Sequence, residues 1–210
     1  MNRVAIVVLN FKGIEDTLIC VESLLEQTYN NFKIIVIENG SDDGSAAEIK
    51  KLEQQHGDKL IGIYNSDNRG FAGGVNTGIN WALENNFDYI ALFNNDAVAD
   101  KLWLETLVNT AIEKQSAITT GLLLHEHGDT IDSTGDWYST WGLPFPRNRG
   151  DITSKAPKAG YVFSASGGAS LYKASLFKDI GMFDDSFFAY YEDTDISFRT
   201  LLAGHKIYYN

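Results

Sequence analysis

Apolar residues in this chain fall in short runs broken by polar turns, and the runs alternate between two periods. Arg3–Leu9 is continuously apolar and rich in Val and Ile, the pattern of a strand covered on both faces. Ile14–Gln27 places Leu18, Val21, Leu24 and Leu25 at helical spacing. Phe32–Glu38 predicts a second buried strand, Ser45–His56 a helix with a charged outer face, and Lys59–Tyr64 a short third strand. A polar, glycine-rich loop over Asn65–Gly74 leads into a predicted helix over Val75–Leu83. Asp88–Phe93 predicts a fourth strand, Lys101–Glu113 a helix and Ala117–Leu124 another strand. Such alternation predicts a mostly parallel α/β sheet.

After Leu124 the rhythm fails. His125–Lys158 is polar and aromatic and reads as hairpins or a long loop over one side of the sheet. Tyr161–Tyr172 returns to short strands, Lys173–Ile180 predicts a short helix, and Thr194–Ala203 a last helix closed by Gly204. Lys206–Tyr209 reads as a strand, and the abrupt stop at Asn210 after it reads as a piece of a longer protein. The organisation expected is one domain over 1–210, with a first half at 1–124 and a second at 125–210.

Charge narrows the partners. A formal net charge of -11 opposes nucleic-acid binding and purely electrostatic docking on anionic lipid. The N-terminus is too quickly polar for a signal peptide, and no apolar run approaches the roughly 18 residues of a membrane span. A cytoplasmic location is the expectation. Cys20, the single cysteine, sits in a helical pattern and reads as a buried small hydrophobe.

Three predicted strands end in polar residues: Asn10 with Phe11, Glu38 with Asn39, and Asn94-Asn95-Asp96. In a parallel sheet these ends share one edge, where ligands of open α/β sheets bind. Glu38 offers acceptors to base or ribose donors, and Phe11 a face for base stacking. Asn68–Gly74 supplies glycines for close approach and Arg69 as a cation for phosphate, at the start of a helix whose dipole favours anions. It lacks a Walker sequence. Asp96 is a hard oxygen ligand for Mg²⁺ or Mn²⁺ if a diphosphate completes the shell; a helix cap or turn fits the same residues. Glu192-Asp193-Thr194-Asp195 begins a helix after the aromatic run Phe187–Tyr191, a wall able to desolvate a carboxylate and raise its pKa. Trp137, Tyr138 and Trp141 suit either stacking on sugars or packing under a loop, and His125-Glu126-His127 reads as a polar turn.

Taken in order, Val4–Asn10, Ile34–Ser45, Asn68–Gly78, Phe93–Asp96 and Tyr190–Asp195 resemble the family-two glycosyltransferases of GT-A fold, and most closely their rhamnosyltransferase-like members that build bacterial surface polysaccharides. The resemblance implies a Rossmann-like nucleotide-binding sheet flanked by helices, with a smaller acceptor-side extension. It implies a nucleotide-diphosphate-sugar donor with uracil or thymine as base, dTDP-rhamnose among the candidates. It further implies a divalent metal, inversion at the anomeric carbon, and a saccharide or lipid-linked acceptor, compatible with peripheral association at the inner face of the membrane. By motif, Leu9, Asn10 and Phe11 line the base and ribose pocket, and Glu38 with Asn39 follows where the family usually has Asp. Asn68, Arg69 and Gly73 lie near the diphosphate, and Asn94-Asn95-Asp96 stands at the Asp-x-Asp position, with Asn replacing the first acid. Asp193 falls at the general base, Glu192 beside it orients the base or the acceptor, and Gly167-Gly168-Ala169 lies beside the acceptor. Two further readings stay open: a nucleotide-sugar-binding module without turnover, and a sugar-phosphate nucleotidyltransferase, whose basic glycine-rich loop near the N-terminus is missing here.

Overall fold

The structure, a computed structural model, describes residues 1–210. In chain order its elements are β1 (Val4–Asn10), α1 (Ile14–Leu25), β2 (Phe32–Asn39), α2 (Ser45–His56), β3 (Leu60–Asn65), α3 (Gly70–Glu84), β4 (Tyr89–Asn94), α4 (Trp103–Lys114) and β5 (Ile118–Thr120). There follow β6 (Leu123–Leu124), β7 (Ile131–Ser133), β8 (Asp136–Tyr138), β9 (Pro144–Pro146), β10 (Gly160–Tyr161), β11 (Ala169–Lys173), α5 (Ala174–Ile180), α6 (Glu192–Leu202) and β12 (Ile207–Tyr209).

Eight strands form one sheet in the order β10-β12-β5-β11-β4-β1-β2-β3. β1 to β4 run parallel, β11 runs antiparallel between β4 and β5, and β10 is antiparallel at the far edge. Side chains alternate across the sheet. Val4, Ile6, Val8, Ile34 and Val36 pack under α1, α2 and α4, while Ala5, Val7, Ile35 and Ile37 pack under α3, α5 and α6. Both faces are therefore buried, which is why the first strands read as unbroken apolar runs.

Register places the polar strand ends side by side. Leu9 lies opposite Asn94, Asn10 opposite Glu38, and Asn39 opposite Asn65. Because β11 runs the other way, its first residue, Ala169, lies opposite Phe93 and brings Ser166–Gly168 to the same edge.

The structure corrects two element boundaries. The glycine-rich segment is not a loop up to Gly74: α3 begins at Gly70 and runs through it. Helix propensity argues against glycine there, but packing prevails. A Cβ on Gly74 would lie 2.5 Å from Leu9 Cδ1, and one on Gly78 2.6 Å from Val7 Cγ1. The glycines let α3 approach the sheet. Secondly, Ala117–Leu124 is not one strand. The chain leaves the sheet at Gly121, and Leu123–Leu124 pairs with β7 in a separate ladder. The expected hairpins over His125–Lys158 are β6–β7 and β8–β9, with His125-Glu126-His127 in the turn of the first.

Gly78→Val forces a branched side chain into this helix–sheet contact and should cost about 1–3 kcal/mol, lowering Tm by several degrees. Gly160→Ala, where a Cβ meets only one atom, 4.0 Å away, should leave Tm within about 1 °C. Thermal unfolding followed by circular dichroism compares the two, and equal Tm values would refute the packing role.

Candidate active site

The edge carries two groups of residues. Around the end of β4, Leu9, Phe11, Phe71, Asn94, Asn95 and Asp96 line a cavity of about 220 Å³. Phe11 and Phe71 give it flat apolar walls, and Asp96 is exposed and accepts no hydrogen bond from the protein. Asn95 Nδ2 donates to Thr17 Oγ1 at 3.0 Å, and Thr17 also meets Asn10 Oδ1 at 2.8 Å. Asn10 is fully buried. Both amides thus bind the ends of β1 and β4 to α1, and Asn10 is removed from the pocket wall where the resemblance put it.

A second group closes the turns after β2 and β3. The buried carboxylate of Glu38 accepts the backbone N–H groups of Gly40 and Ser41, at 3.1 and 2.7 Å. Asn39, also buried, donates to Asn68 Oδ1 and Gly70 O and accepts from Asn65 Nδ2 and the Arg69 N–H. Asn39 has no group left for a ligand, so its role is to shape the Asn65–Gly70 turn. Each Glu38 oxygen keeps a further lone pair. That turn leaves the Arg69 side chain exposed, with no carboxylate partner.

The N-terminus of α3 is not open to an anion. Its Phe71 N–H donates to the Phe188 carbonyl at 2.6 Å, and Ala72 N–H reaches the same oxygen at 3.3 Å. Gly70 has φ +70°, and a Cβ there would overlap Phe188. Gly73, buried in this first turn, faces Arg69 and Asp185 rather than the cavity. The amides and glycines expected to cradle phosphate instead hold the segment that precedes α6. Asn76 holds it too, bonding Asp185 and both backbone groups of Phe183.

Asp193 lies where the two halves meet. Asn94 N–H donates to Gly168 O at 2.7 Å, and Gly167 N–H donates to Asp193 Oδ2 at 3.1 Å. Thr194 N–H holds Oδ1 at 2.7 Å. Backbone amides, not Glu192, orient Asp193. Glu192 is itself buried, with Oε2 unbonded, and burial followed by repulsion from Asp193 raises its pKa. In the aromatic run Phe188, Tyr190 and Tyr191 have positive φ and are exposed, Tyr190 to 81%, so the run forms no buried wall. Of the three expected stacking residues, Trp141 is 89% exposed, Trp137 carries Arg147 on its ring, and Tyr138 lines a cavity.

Sequence reasoning missed three participants. Phe71 was hidden by the loop reading of α3. Lys12 lies 5.4 Å from the Phe11 ring, a cation beside the cavity in an acidic chain. Asp136 on β8 bonds through its backbone to Ser164, and its carboxyl is pushed up to about 6 by burial first and then by repulsion from Asp193. Nothing local to the Asp136 sequence signals this.

The family model for glycosyl transferase family 2 matches residues 4–181. The chain belongs to that family. A low-salt glycan biosynthesis hexosyltransferase of Haloferax volcanii is 24% identical over 204 residues, covering 95% of this chain and 62% of the relative. Poly-beta-1,6-N-acetyl-D-glucosamine synthase of Staphylococcus aureus is 26% identical over 200 residues, covering 93% and 44%. The chain thus spans less than two thirds of either relative. Among solved structures, the mannosyltransferase PcManGT of Pyrobaculum calidifontis, in complex with GDP-Man and Mn²⁺, superposes with a TM-score of 0.73 at 14% identity, over 98% of this chain and 54% of that one. S. aureus TarS 1-349 superposes with a TM-score of 0.71 at 16% identity, over 98% and 57%. The fold of this family 2 chain is GT-A.

The raised pKa of Asp136 has a stability consequence. A carboxyl whose folded pKa exceeds its unfolded value favours the fold at low pH and loses that contribution as pH rises through the folded pKa. The window here is from about 4 to about 6. Asp136→Asn should therefore stabilise the protein by about 1 kcal/mol at pH 7.5, after discounting for partial exposure, and by almost nothing near pH 3.5. Urea unfolding at the two pH values tests this, and a pH-independent difference would contradict it.

Proposed function

We propose that this family 2 chain transfers a sugar from a nucleotide-diphosphate-sugar, with UDP or dTDP as carrier, to a hydroxyl of a saccharide or lipid-linked acceptor, with inversion. The observation that carries the proposal is the joint at the sheet edge. One hydrogen bond from Asn94 to Gly168 and one from Gly167 to Asp193 hold the candidate donor cavity and the candidate base in fixed relation.

Asp193 accepts the proton of the acceptor hydroxyl, keeping its orientation through Gly167 and Thr194. The acceptor oxygen bonds to C1 of the donor sugar as the C1–O bond to phosphate breaks, and the electron pair leaves on the diphosphate. Attack opposite the leaving group inverts C1. Phe11 and Phe71 flank the base or ribose in the 220 Å³ cavity, with Leu9 at its floor. Glu38 receives base or ribose donors on the lone pairs its turn leaves free. Arg69 and Lys12 supply positive charge for phosphate.

The fit to a divalent cation can be judged from the donors present. No three His, Cys, Asp or Glu side chains cluster. Asp96 offers a free carboxylate at the cavity, with the amide oxygens of Asn94 and Asn95 nearby. That set suits Mg²⁺ or Mn²⁺ held by one carboxylate and the substrate's phosphates. Asp96 would hold the ion, which when bound offsets charge on the leaving diphosphate. The Mn²⁺ in the mannosyltransferase structure supports this, and the glycan-building relatives support polysaccharide synthesis, with rhamnosyl transfer as the narrower reading. No helix is long and apolar enough to cross a membrane.

Calorimetric titration with nucleoside diphosphates, with and without Mn²⁺, tests the proposal. Binding of UDP or dTDP should depend on Mn²⁺ and on Asp96, being lost in Asp96→Ala without change in the far-ultraviolet circular dichroism. Asp193→Asn should bind nucleotide like the wild type but hydrolyse donor about 10²–10⁴-fold more slowly. Nucleotide binding without turnover in the wild type would select the non-catalytic module, which the Asn at position 94 favours. No binding of either nucleotide would refute the donor reading.

A further inference from the structure

A second cavity, of about 450 Å³, lies between the β8–β9 hairpin and α6. Its size falls within the roughly 300–1,000 Å³ of small-molecule sites. Tyr191, Thr194, Asp195 and Phe198 line it from one side at helical spacing, and Tyr138, Leu143 and Pro144 from the other. Asp193 projects elsewhere, toward Gly167, so the cavity lies beside the base and not around it. β8 connects the two. Asp136 and Tyr138 share a face of that strand, one two-residue step apart; the charge of Asp193 acts on the first and the cavity receives the second.

The geometry points to this cavity as the seat of a neutral pyranose unit of the acceptor, with anionic acceptors rejected. The inference rests on the glycosyl-transfer reading above and adds the acceptor's chemical class.

The lining chemistry carries it. The rings of Tyr138, Phe187, Tyr191 and Phe198 present apolar faces with negative π density, which complement the weakly positive C–H face of a sugar ring. Tyr138 is held flat by stacking on Phe163, with centroids 4.6 Å apart and planes 15° from parallel. A sugar also needs acceptors for its hydroxyls. Asp195 gives one: its Oδ2 takes Arg199 Nε and Nη2 at 2.9 and 2.6 Å, which leaves Oδ1 without a protein donor. A purely apolar lipid chain would leave that oxygen buried and unpaired, which is costly.

The cations argue against a charged acceptor. No Lys, Arg or His lines the cavity. Arg199 is consumed by Asp195 and by the carbonyls of Ile180 and Met182. Arg147 covers Trp137 and Tyr209, and Arg149 pairs with Asp132. Asp136, Glu192 and Asp193 stand on the base side. A uronate or phosphate would enter an acidic mouth with no free counter-charge.

Saturation-transfer NMR tests the inference. The probes are the methyl glycosides of glucose, galactose, rhamnose and N-acetylglucosamine, with methyl glucuronide and glycerol 3-phosphate as anions. At least one neutral glycoside should receive saturation on its ring protons, and the anions none. Tyr191→Gly removes one wall at a position whose φ of +70° suits glycine, and Leu143→Lys places a cation at the exposed hairpin. Each should cut the neutral signal at least five-fold while UDP or dTDP binding, measured by calorimetry, stays at the wild-type level. Equal binding of an anion, or a neutral signal unchanged in both variants, overturns the inference. Nucleotide binding with no neutral glycoside bound also overturns it but leaves the donor reading standing, whereas loss of nucleotide binding in the wild type refutes the donor reading itself.

Discussion

The site depends on one antiparallel strand. β11 enters a sheet whose neighbouring strands all run the other way, and so delivers its first residues to the edge where β1, β2 and β4 deliver their last. Two hydrogen bonds from backbone N–H groups then do the joining: Asn94 to the Gly168 carbonyl and Gly167 to the Asp193 carboxylate. Neither uses a side-chain donor. A Cβ at Gly167 would stand 3.4 Å from Asp193 Cβ, and one at Gly168 3.2 Å from Asn94 Nδ2, so the small residues set how closely the candidate base and the candidate donor cavity approach. Since reacting atoms must come within about 3–3.5 Å, a fixed backbone joint is a better guarantee than a flexible pair of side chains.

A second close approach sets the floor. α3 lies on Leu9 and Val7 through Gly74 and Gly78, and its first amides are closed by the Phe188 carbonyl. The strap before α6 is thereby fixed twice by α3, at Phe183 and Asp185 through Asn76 and at Phe188 through the amides of Phe71 and Ala72, despite three residues at positive φ. Each such residue costs roughly 1–3 kcal/mol and persists only where the surroundings compensate. Here the compensation is visible: the N–H groups that would otherwise be unsatisfied at the helix start find their acceptor in the strap.

Much of this was legible in the sequence, for identifiable reasons. Strands covered on both faces write themselves as Val-Ile runs, so β1, β2 and β4 and the shared polar edge could be read directly, and five ordered motifs carried the family. The start of α3 could not, because glycine propensity is local and the packing that overrides it comes from Val7 and Leu9, more than sixty residues earlier. Asn39 was read as a ligand group because a sequence names polar groups without saying who uses them; its own turn does, whereas Glu38 shares its oxygens with its turn and keeps lone pairs free. Glu192 and Asp193 are adjacent, yet one is buried and the other is held at the edge, a difference set by helix phase and not by residue type. Asp136 carried no signal at all, since its neighbour Asp193 is remote in the chain.

The Asn at position 94 gains meaning from that crowd of acids. Asp96 lies on the cavity, Asp193 is tied through Gly167 and Gly168 to Asn94, and burial first and the Asp193 charge after it raise the pKa of both Asp136 and Glu192. A second aspartate at 94 would add a like charge to an edge whose exposed cations, Arg69 and Lys12, are the ones proposed to meet the donor phosphates. A neutral amide relieves that repulsion and keeps an oxygen available. The edge then carries one free carboxylate, Asp96, for any cation, where two would hold one unaided. On the proposed reading, in which the donor brings a diphosphate, cation and phosphates each supply the charge the other lacks, and the edge would bind neither tightly alone and both together.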